Sequence, residues 1–359
     1  MKLKPDWWDF TVIFDPIEAL NHFHLSPESN KFSFRVKETK SFTLNILDRK
    51  LIYQNFPFTS LSYDLLIVGN AMNNIAYPLS FFRILLGKKI AYWGHGRDFF
   101  TVDKSLLKKS TEKIKTIFSR RASGFFAYTP GVKSYLVSHG VPESKIHTLY
   151  NTIDIMHQRE KFDQLRNKRE QIRVDLKLKN RKVLLYVGRF NKEKRIDYLL
   201  KSFEILYRQD KSYKLLLIGG GDTKHILEFI DRLTTDAVDY LGVVDEEKIA
   251  TYYTASDLFV YPGAVGLGPI QAMCYDLIPV VINSDIHSPE YEYLSENNAL
   301  ILPIKSDENK YADAIADLMQ DKVKFIRLRQ QIWSSINHLT ISRMAENFIN
   351  GINFIFKES

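Results

Sequence analysis

Val183-Leu184-Leu185-Tyr186-Val187 is an unbroken apolar run that stops on Gly188-Arg189-Phe190-Asn191-Lys192-Glu193-Lys194-Arg195 and gives way to a helical pattern from Ile196. Four further runs repeat the arrangement: Lys214-Leu215-Leu216-Leu217-Ile218, Val238-Asp239-Tyr240-Leu241, Leu258-Phe259-Val260-Tyr261 and Pro279-Val280-Val281-Ile282. Short, β-branched-rich runs without alternation are how strands covered on both faces read, and helical stretches between them supply the crossovers of a parallel sheet. The prediction is an α/β, doubly wound, Rossmann-like domain whose ligands lie just beyond the carboxyl ends of the strands.

Upstream, Phe10–Phe14, Leu65–Val68, Lys89–Trp93, Gly124–Tyr128 and His147–Tyr150 predict a second parallel sheet, although no Gly-rich loop follows the first of these runs. The charged stretch from Asp154 to Lys182 reads as the connection between two domains plus an exposed helix. The expected division is 1–165, 166–340 and a C-terminal segment 341–359. That last segment, from Ile341 to Phe356, has the pattern of an amphipathic helix.

The chain has 359 residues, enough for two cores. Its single cysteine, Cys274, excludes an internal disulfide and a cysteine-clustered zinc site, and fits the cytoplasm. The start, Met1 to Trp8, lacks the apolar core of about 7–15 residues that a secretory signal carries. Lys and Arg exceed Asp and Glu by 50 to 42, giving a net charge of +8. Part of the excess lies at Lys104, Lys108, Lys109, Lys113, Lys115, Arg120 and Arg121, interleaved with Leu106, Leu107, Ile114, Ile117 and Phe118. Such a helix suits an anionic membrane surface, and equally a solvated face. Nothing near it resembles a nucleic-acid-binding motif, so nucleic acid is not expected as a partner.

The strand ends carry the chemistry. Gly188 allows the turn after the first run, and Arg189 and Lys194 put two cations beside a helix start, an arrangement suited to a diphosphate. Gly219-Gly220-Gly221 follows the second run and Gly242 the third; glycine there permits backbone to approach a ligand. Tyr261-Pro262-Gly263-Ala264-Val265-Gly266-Leu267-Gly268-Pro269-Ile270-Gln271 follows the fourth.

Over about 110 residues this succession resembles the retaining glycosyltransferases of family 4, which have the GT-B fold. The shared features are the glycine-arginine turn with a lysine five residues on, the glycine pair, the leucine-glycine strand end, Ala255-Ser256-Asp257-Leu258, the glycine loop and helix, and the Pro-Val-Val strand. Tyr150-Asn151-Thr152-Ile153-Asp154 looks like the sequence that closes the family's first domain, and Trp93-Gly94-His95-Gly96-Arg97 like its histidine loop. The resemblance implies two facing Rossmann-like domains with a ligand cleft between them. The first would bind the acceptor, and segment 341–359 would pack back on it.

It also implies roles. Arg189 and Lys194 would stabilise the leaving diphosphate, and His95 would orient the sugar, these three being the catalytic group. Gly188, Gly220, Gly242, Gly263, Gly266, Leu267, Gln271 and Glu290 would form the donor site, with Gln271 on the ribose. The donor would be a UDP-, GDP- or dTDP-sugar and the acceptor a glycan or a lipid-linked glycan, as in polysaccharide or lipopolysaccharide synthesis. Neither a cofactor nor a metal is implied. One departure stands out: many members carry glutamates at the positions of Gly263 and Gln271, whereas this Pro-Gly-x-Val-Gly-Leu loop matches a subgroup. Glu290 is the candidate acidic substitute, or a glutamate serving a helix start. Two other readings remain open. A dehydrogenase would need G-x-G-x-x-G spacing, which Gly219-Gly220-Gly221 lacks. A catalytically silent partner subunit would fit the missing glutamate.

Overall fold

The computed structural model describes residues 8–14, 34–46, 49–56, 59–69, 74–97, 106–233 and 236–357, so Lys104 and residues 1–7 lie outside the described residues. The chain forms two compact units. Among the described residues the first takes 8–97, 106–150 and 344–357, and the second takes 151–343.

In the first unit, strands β1 (Thr11–Phe14) and β2 (Arg35–Glu38) pair in parallel, and β3 (Ser41–Ile46) and β4 (Arg49–Gln54) form an antiparallel hairpin. The main sheet is parallel and has four strands in sequence order: β5 (Leu65–Gly69), β6 (Lys89–Gly94), β7 (Gly124–Ala127) and β8 (Ile146–Thr148). The period of two splits its residues between two cores. Ile90, Tyr92, Phe125 and Ala127 face one core together with Val132 and Leu136 of the helix Pro130–Ser138. Ala91 and Phe126 face the other, which is closed by Ile352 and Ile355 of the C-terminal helix Ile341–Lys357. Lys89 Nζ donates to the carbonyl of Ile355 at 2.9 Å near the end of that helix, where a cation also favours the helix dipole.

The second unit holds six parallel strands: β9 (Lys182–Val187), β10 (Tyr213–Ile218), β11 (Val238–Tyr240), β12 (Leu258–Tyr261), β13 (Ile278–Ile282) and β14 (Leu300–Leu302). Their spatial order is β11-β10-β9-β12-β13-β14. Chain direction along the sheet therefore reverses between β9 and β12, and the crevice at such a reversal is where doubly wound sheets take ligands. All five runs read from the sequence are strands here. β14 is additional; at three residues it gives too little pattern to be seen alone.

The stretch 154–182 differs from its expectation. It forms helices Ile155–Leu165 and Arg169–Asp175, and four of its cations, Arg159, Lys161, Arg169 and Arg173, turn inward while most of its other charges stay exposed. Arg169 donates to Asp257 Oδ1 at 2.6 Å, and Arg173 to the carbonyl of Ala255 at 2.7 Å and to Asp257 Oδ2 at 3.3 Å. Asp257 Oδ2 also accepts from the backbone N–H of Val183 at 2.8 Å. The Ala-Ser-Asp-Leu motif thus ties the starts of β9 and β12 to a helix that belongs to the second unit. Among the described residues no helix is long and apolar enough to cross a membrane.

Candidate active site

The loops after β9, β10 and β11 are laced together by backbone hydrogen bonds. Gly188 N–H donates to Ile218 O (3.0 Å), Phe190 N–H to Gly220 O (2.8 Å), Asp222 N–H to Phe190 O (3.0 Å) and Gly219 N–H to Gly242 O (2.8 Å). Gly219 and Gly221 have φ of +141° and +134°, and a β-carbon on either would run into the carbonyl of Gly188 or Phe190. Glycine is demanded there by both conformation and space. Gly220, between them, would meet only the side chain of Val243, and Gly242 has φ +69° with open space at its α-carbon.

Asn191 caps the short turn Lys192–Lys194, its side chain accepting from Lys194 N–H at 3.2 Å, and Arg195 follows in the left-handed region at φ +55°. This turn aims Lys194 across the sheet reversal. Its Nζ donates to Ala264 O at 2.5 Å and lies 5.1 Å from the centre of the Tyr261 ring. Arg189 is exposed at the tip of the same loop, where its carbonyl accepts from Tyr186 OH at 3.1 Å. Beneath, the Tyr186 and Tyr261 rings stack at 5.0 Å and present their hydroxyls to Gly188. Burial pushes the Tyr186 phenol well up, so it stays neutral.

Gly263 answers the question raised by the loop. It is buried, and Ala264 N–H donates to Glu193 O at 2.8 Å. A β-carbon on Gly263 would collide with the backbone of Glu193 and Lys194. No side chain fits, so in this chain the position is a close crossing of two loops. Gly266 is open, with Ser288 Oγ at 3.9 Å as the nearest atom to an added β-carbon, and Leu267 beside it precedes the short helix Gly268–Met273.

The loop after β13 holds the glycine loop from the other side. Val265 N–H donates to His287 Nδ1 at 3.0 Å, Ser288 N–H donates to Val265 O at 2.9 Å, and His287 Nε2 lies 2.9 Å from Ile282 O. Accepting at Nδ1 leaves the ring neutral with its proton on Nε2. Burial takes the imidazole down to about 4, assisted by the Lys194 charge and opposed by the bond to Ile282. His287 was passed over in the sequence because no motif contains it; its place after a buried strand was the available signal. Glu290 follows in the turn Pro289–Tyr293. It is 3% exposed, its Oε1 accepts from Asn151 Nδ2 at 2.5 Å, and burial raises its carboxyl above the ordinary range. Gln271 is half-buried and turns its amide toward Gln158 Oε1 at 3.4 Å, which also accepts from Tyr275 OH at 2.8 Å.

The second unit thus gathers Gly188, Arg189, Lys194, Gly220, Gly242, Gly263, Gly266, Leu267, Gln271 and Glu290 on the loops at the carboxyl edge of its sheet or on the segments leading from them. His95 belongs to the first unit, after β6, half-buried with its ring edge-on to Tyr128 at 4.6 Å. Among the described residues no group of three or more His, Cys, Asp or Glu could hold a metal ion.

Residues 167–334 match the family described as Glycosyl transferases group 1, and residues 31–157 match Glycosyltransferase Family 4. A Klebsiella pneumoniae protein described as an uncharacterized 41.2 kDa protein in the cps region is 25% identical over 63% of this chain and 60% of its own length. The Staphylococcus aureus capsular polysaccharide biosynthesis glycosyltransferase CapM is 26% identical over 56% of this chain and 53% of its own. The chain spans about three-fifths, 57 to 60%, of the first curated relatives it matches. Among solved structures, Anabaena HepE in complex with UDP superposes with a TM-score of 0.64 at 15% identity, covering 83% of this chain and 80% of that one. The apo form of the lipopolysaccharide outer core galactosyltransferase WaaB gives 0.57 at 17% identity, covering 85% and 79%. The likeness to these structures gives the fold, GT-B, with a Rossmann-like sheet in each unit.

Proposed function

We propose that this chain, which belongs to the family 4 glycosyltransferases, moves a sugar with retention from a nucleoside diphosphate sugar to a glycan or lipid-linked acceptor in the assembly of cell-surface polysaccharide or lipopolysaccharide. The observation that carries the reading is the cationic, glycine-lined strand edge at the sheet reversal, where Lys194 is held by Asn191 and Ala264 and Arg189 stands at the loop tip. HepE binding UDP favours a uridine diphosphate donor, and the names of CapM, WaaB and the cps-region protein favour a cell-surface product.

As the donor bond breaks, charge grows on the leaving diphosphate, and fixed cations stabilise that state more than the intact donor. The leaving phosphate oxygen assists deprotonation of the acceptor on the same face, so no protein nucleophile is used. Backbone amides at Gly266 and Leu267 meet phosphate or sugar, Gln271 meets ribose, and Glu290 supplies the carboxyl that Gly263 cannot carry. For His95 the proposal is a catalytic role. Turnover is metal-independent, and EDTA is expected to leave it unchanged.

The test is slow hydrolysis of a panel of UDP-, GDP- and dTDP-sugars by the purified chain. Release from one donor is expected, and Arg189→Ala or Lys194→Ala should each lower kcat by about 10²–10³-fold with the melting temperature of the Arg189 variant unchanged. Undiminished turnover in both variants refutes the diphosphate site. Tight donor binding with no release under any condition would instead favour a silent partner subunit.

A further inference from the structure

Two neighbouring elements of the first unit each bury a cation while exposing part of their apolar surface. The 3-10 helix Phe81–Leu86 buries its charged residue: Arg83 is 1% exposed and donates to the carbonyls of Ser60, Tyr63 (2.7 Å) and Lys89 (3.3 Å). Phe81 and Ile84 pack toward the core, but Phe82 is 58%, Leu85 76% and Leu86 52% exposed, and Leu79 in the preceding helical turn is exposed as well. Residues three apart eclipse in a 3-10 helix, so Phe82 and Leu85 share one face.

The helix Leu106–Arg121 shares the feature. Lys115 is buried and paired with Glu112 at 2.9 Å, while Ile114 and Ile117 are exposed. The two elements meet where the rings of Phe81 and Phe118 stack at 4.2 Å. The outward apolar residues are accompanied by cations: Lys113, Arg120 and Arg121 are exposed on the second helix, and Lys88 follows the first. Among the described side chains of these two helices, the only acidic one is Glu112, and it is occupied by Lys115.

Burying an arginine and a lysine while exposing large apolar side chains costs free energy in water, so the surface is suited to something other than water. An apolar ridge with basic side chains beside it matches the two layers of an anionic bilayer interface, acyl chains within and phosphate headgroups without. We propose that this face docks on an anionic lipid bilayer, with Phe82, Leu85 and Leu86 entering the headgroup–acyl boundary and Lys113 and Arg121 on the headgroups. Nothing in this proposal depends on the sugar-transfer reading, since none of these residues belongs to the candidate active site.

The experiment is co-sedimentation of the full chain with vesicles of phosphatidylcholine alone and with about 30 mol% phosphatidylglycerol added. The wild type is expected to pellet with the anionic vesicles and much less with the neutral ones. Phe82→Ser/Leu85→Ser should lower the apparent partition coefficient about tenfold or more. Lys113→Glu/Arg121→Glu should abolish the preference for anionic lipid. All these side chains are exposed, so unchanged melting temperatures are expected and serve as the folding control. A wild type that stays in the supernatant with both vesicles, or an apolar variant that binds undiminished, overturns the proposal. So does a wild-type dimer that the apolar variant makes monomeric while neither protein binds vesicles, because the occupant is then a second copy.

Discussion

His287 has both ring nitrogens engaged by backbone, and this couples its charge to the stability of the fold. Its native value of about 4 lies below the ordinary 6.5, so the unfolded chain takes up the proton first as pH falls. The stabilisation is complete above pH 6.5 and is lost on the way down to 4, amounting to about 2 kcal/mol between pH 7 and pH 5. Gln in its place has an oxygen for Val265 and an N–H for Ile282 but does not titrate. Urea midpoints of His287→Gln at the two pH values should therefore differ by less than those of the wild type, and an equal acid loss in both proteins would refute the coupling. Gly263 gives a second expectation. Gly263→Ala should cost about 1–3 kcal/mol through overpacking against Glu193 and Lys194, and Gly263→Glu should lower the melting temperature further without raising turnover. The placement of Arg189 and Lys194 on the loop after β9 was legible because their spacing from a strand and a glycine is local. Gly263 was legible as a departure but not as a contact, because the backbone it touches lies about seventy residues earlier. The bond between Asn151 and Glu290 spans 139 residues and was hidden for the same reason.

At the scale of elements, the buried strands declared themselves because a strand covered on both faces has little choice of residue. The helices Ile155–Leu165 and Arg169–Asp175 read instead as a connection with one exposed helix, because their inward faces use Lys161 on Glu246 and Arg169 and Arg173 on Asp257, and charge in a sequence reads as surface. Asp257→Asn should remove a carboxylate that serves two guanidiniums and one backbone N–H, destabilising the second unit by about 3 kcal/mol in denaturant unfolding. A glycine within the C-terminal helix carries a sign reversal. Replacing a mid-helix glycine by alanine ordinarily stabilises by about 1 kcal/mol. At Gly351 the new β-carbon would stand 2.5 Å from Phe126 and 2.8 Å from His147, so Gly351→Ala should lower the melting temperature instead.

At the scale of the molecule, the pattern of two sheets was readable, while the division of the chain between them required contacts. Among the described residues the second unit runs from 151 to 343, and the first is assembled from pieces on either side of it. Ala91, Phe126 and Leu149 share one core with Ile352 and Ile355 of the C-terminal helix. A chain ended after residue 340 should bind ANS strongly and lose the first unit to limited proteolysis while the second resists. Synthesis adds a clock to this geometry. The strands of the first unit emerge early and then wait while the ribosome makes about 190 further residues, which at about 5–20 residues per second is about 10–40 s. Within this chain the unit begun first is thus the unit finished last, and through that interval its unclosed sheet leaves apolar surface open to aggregation.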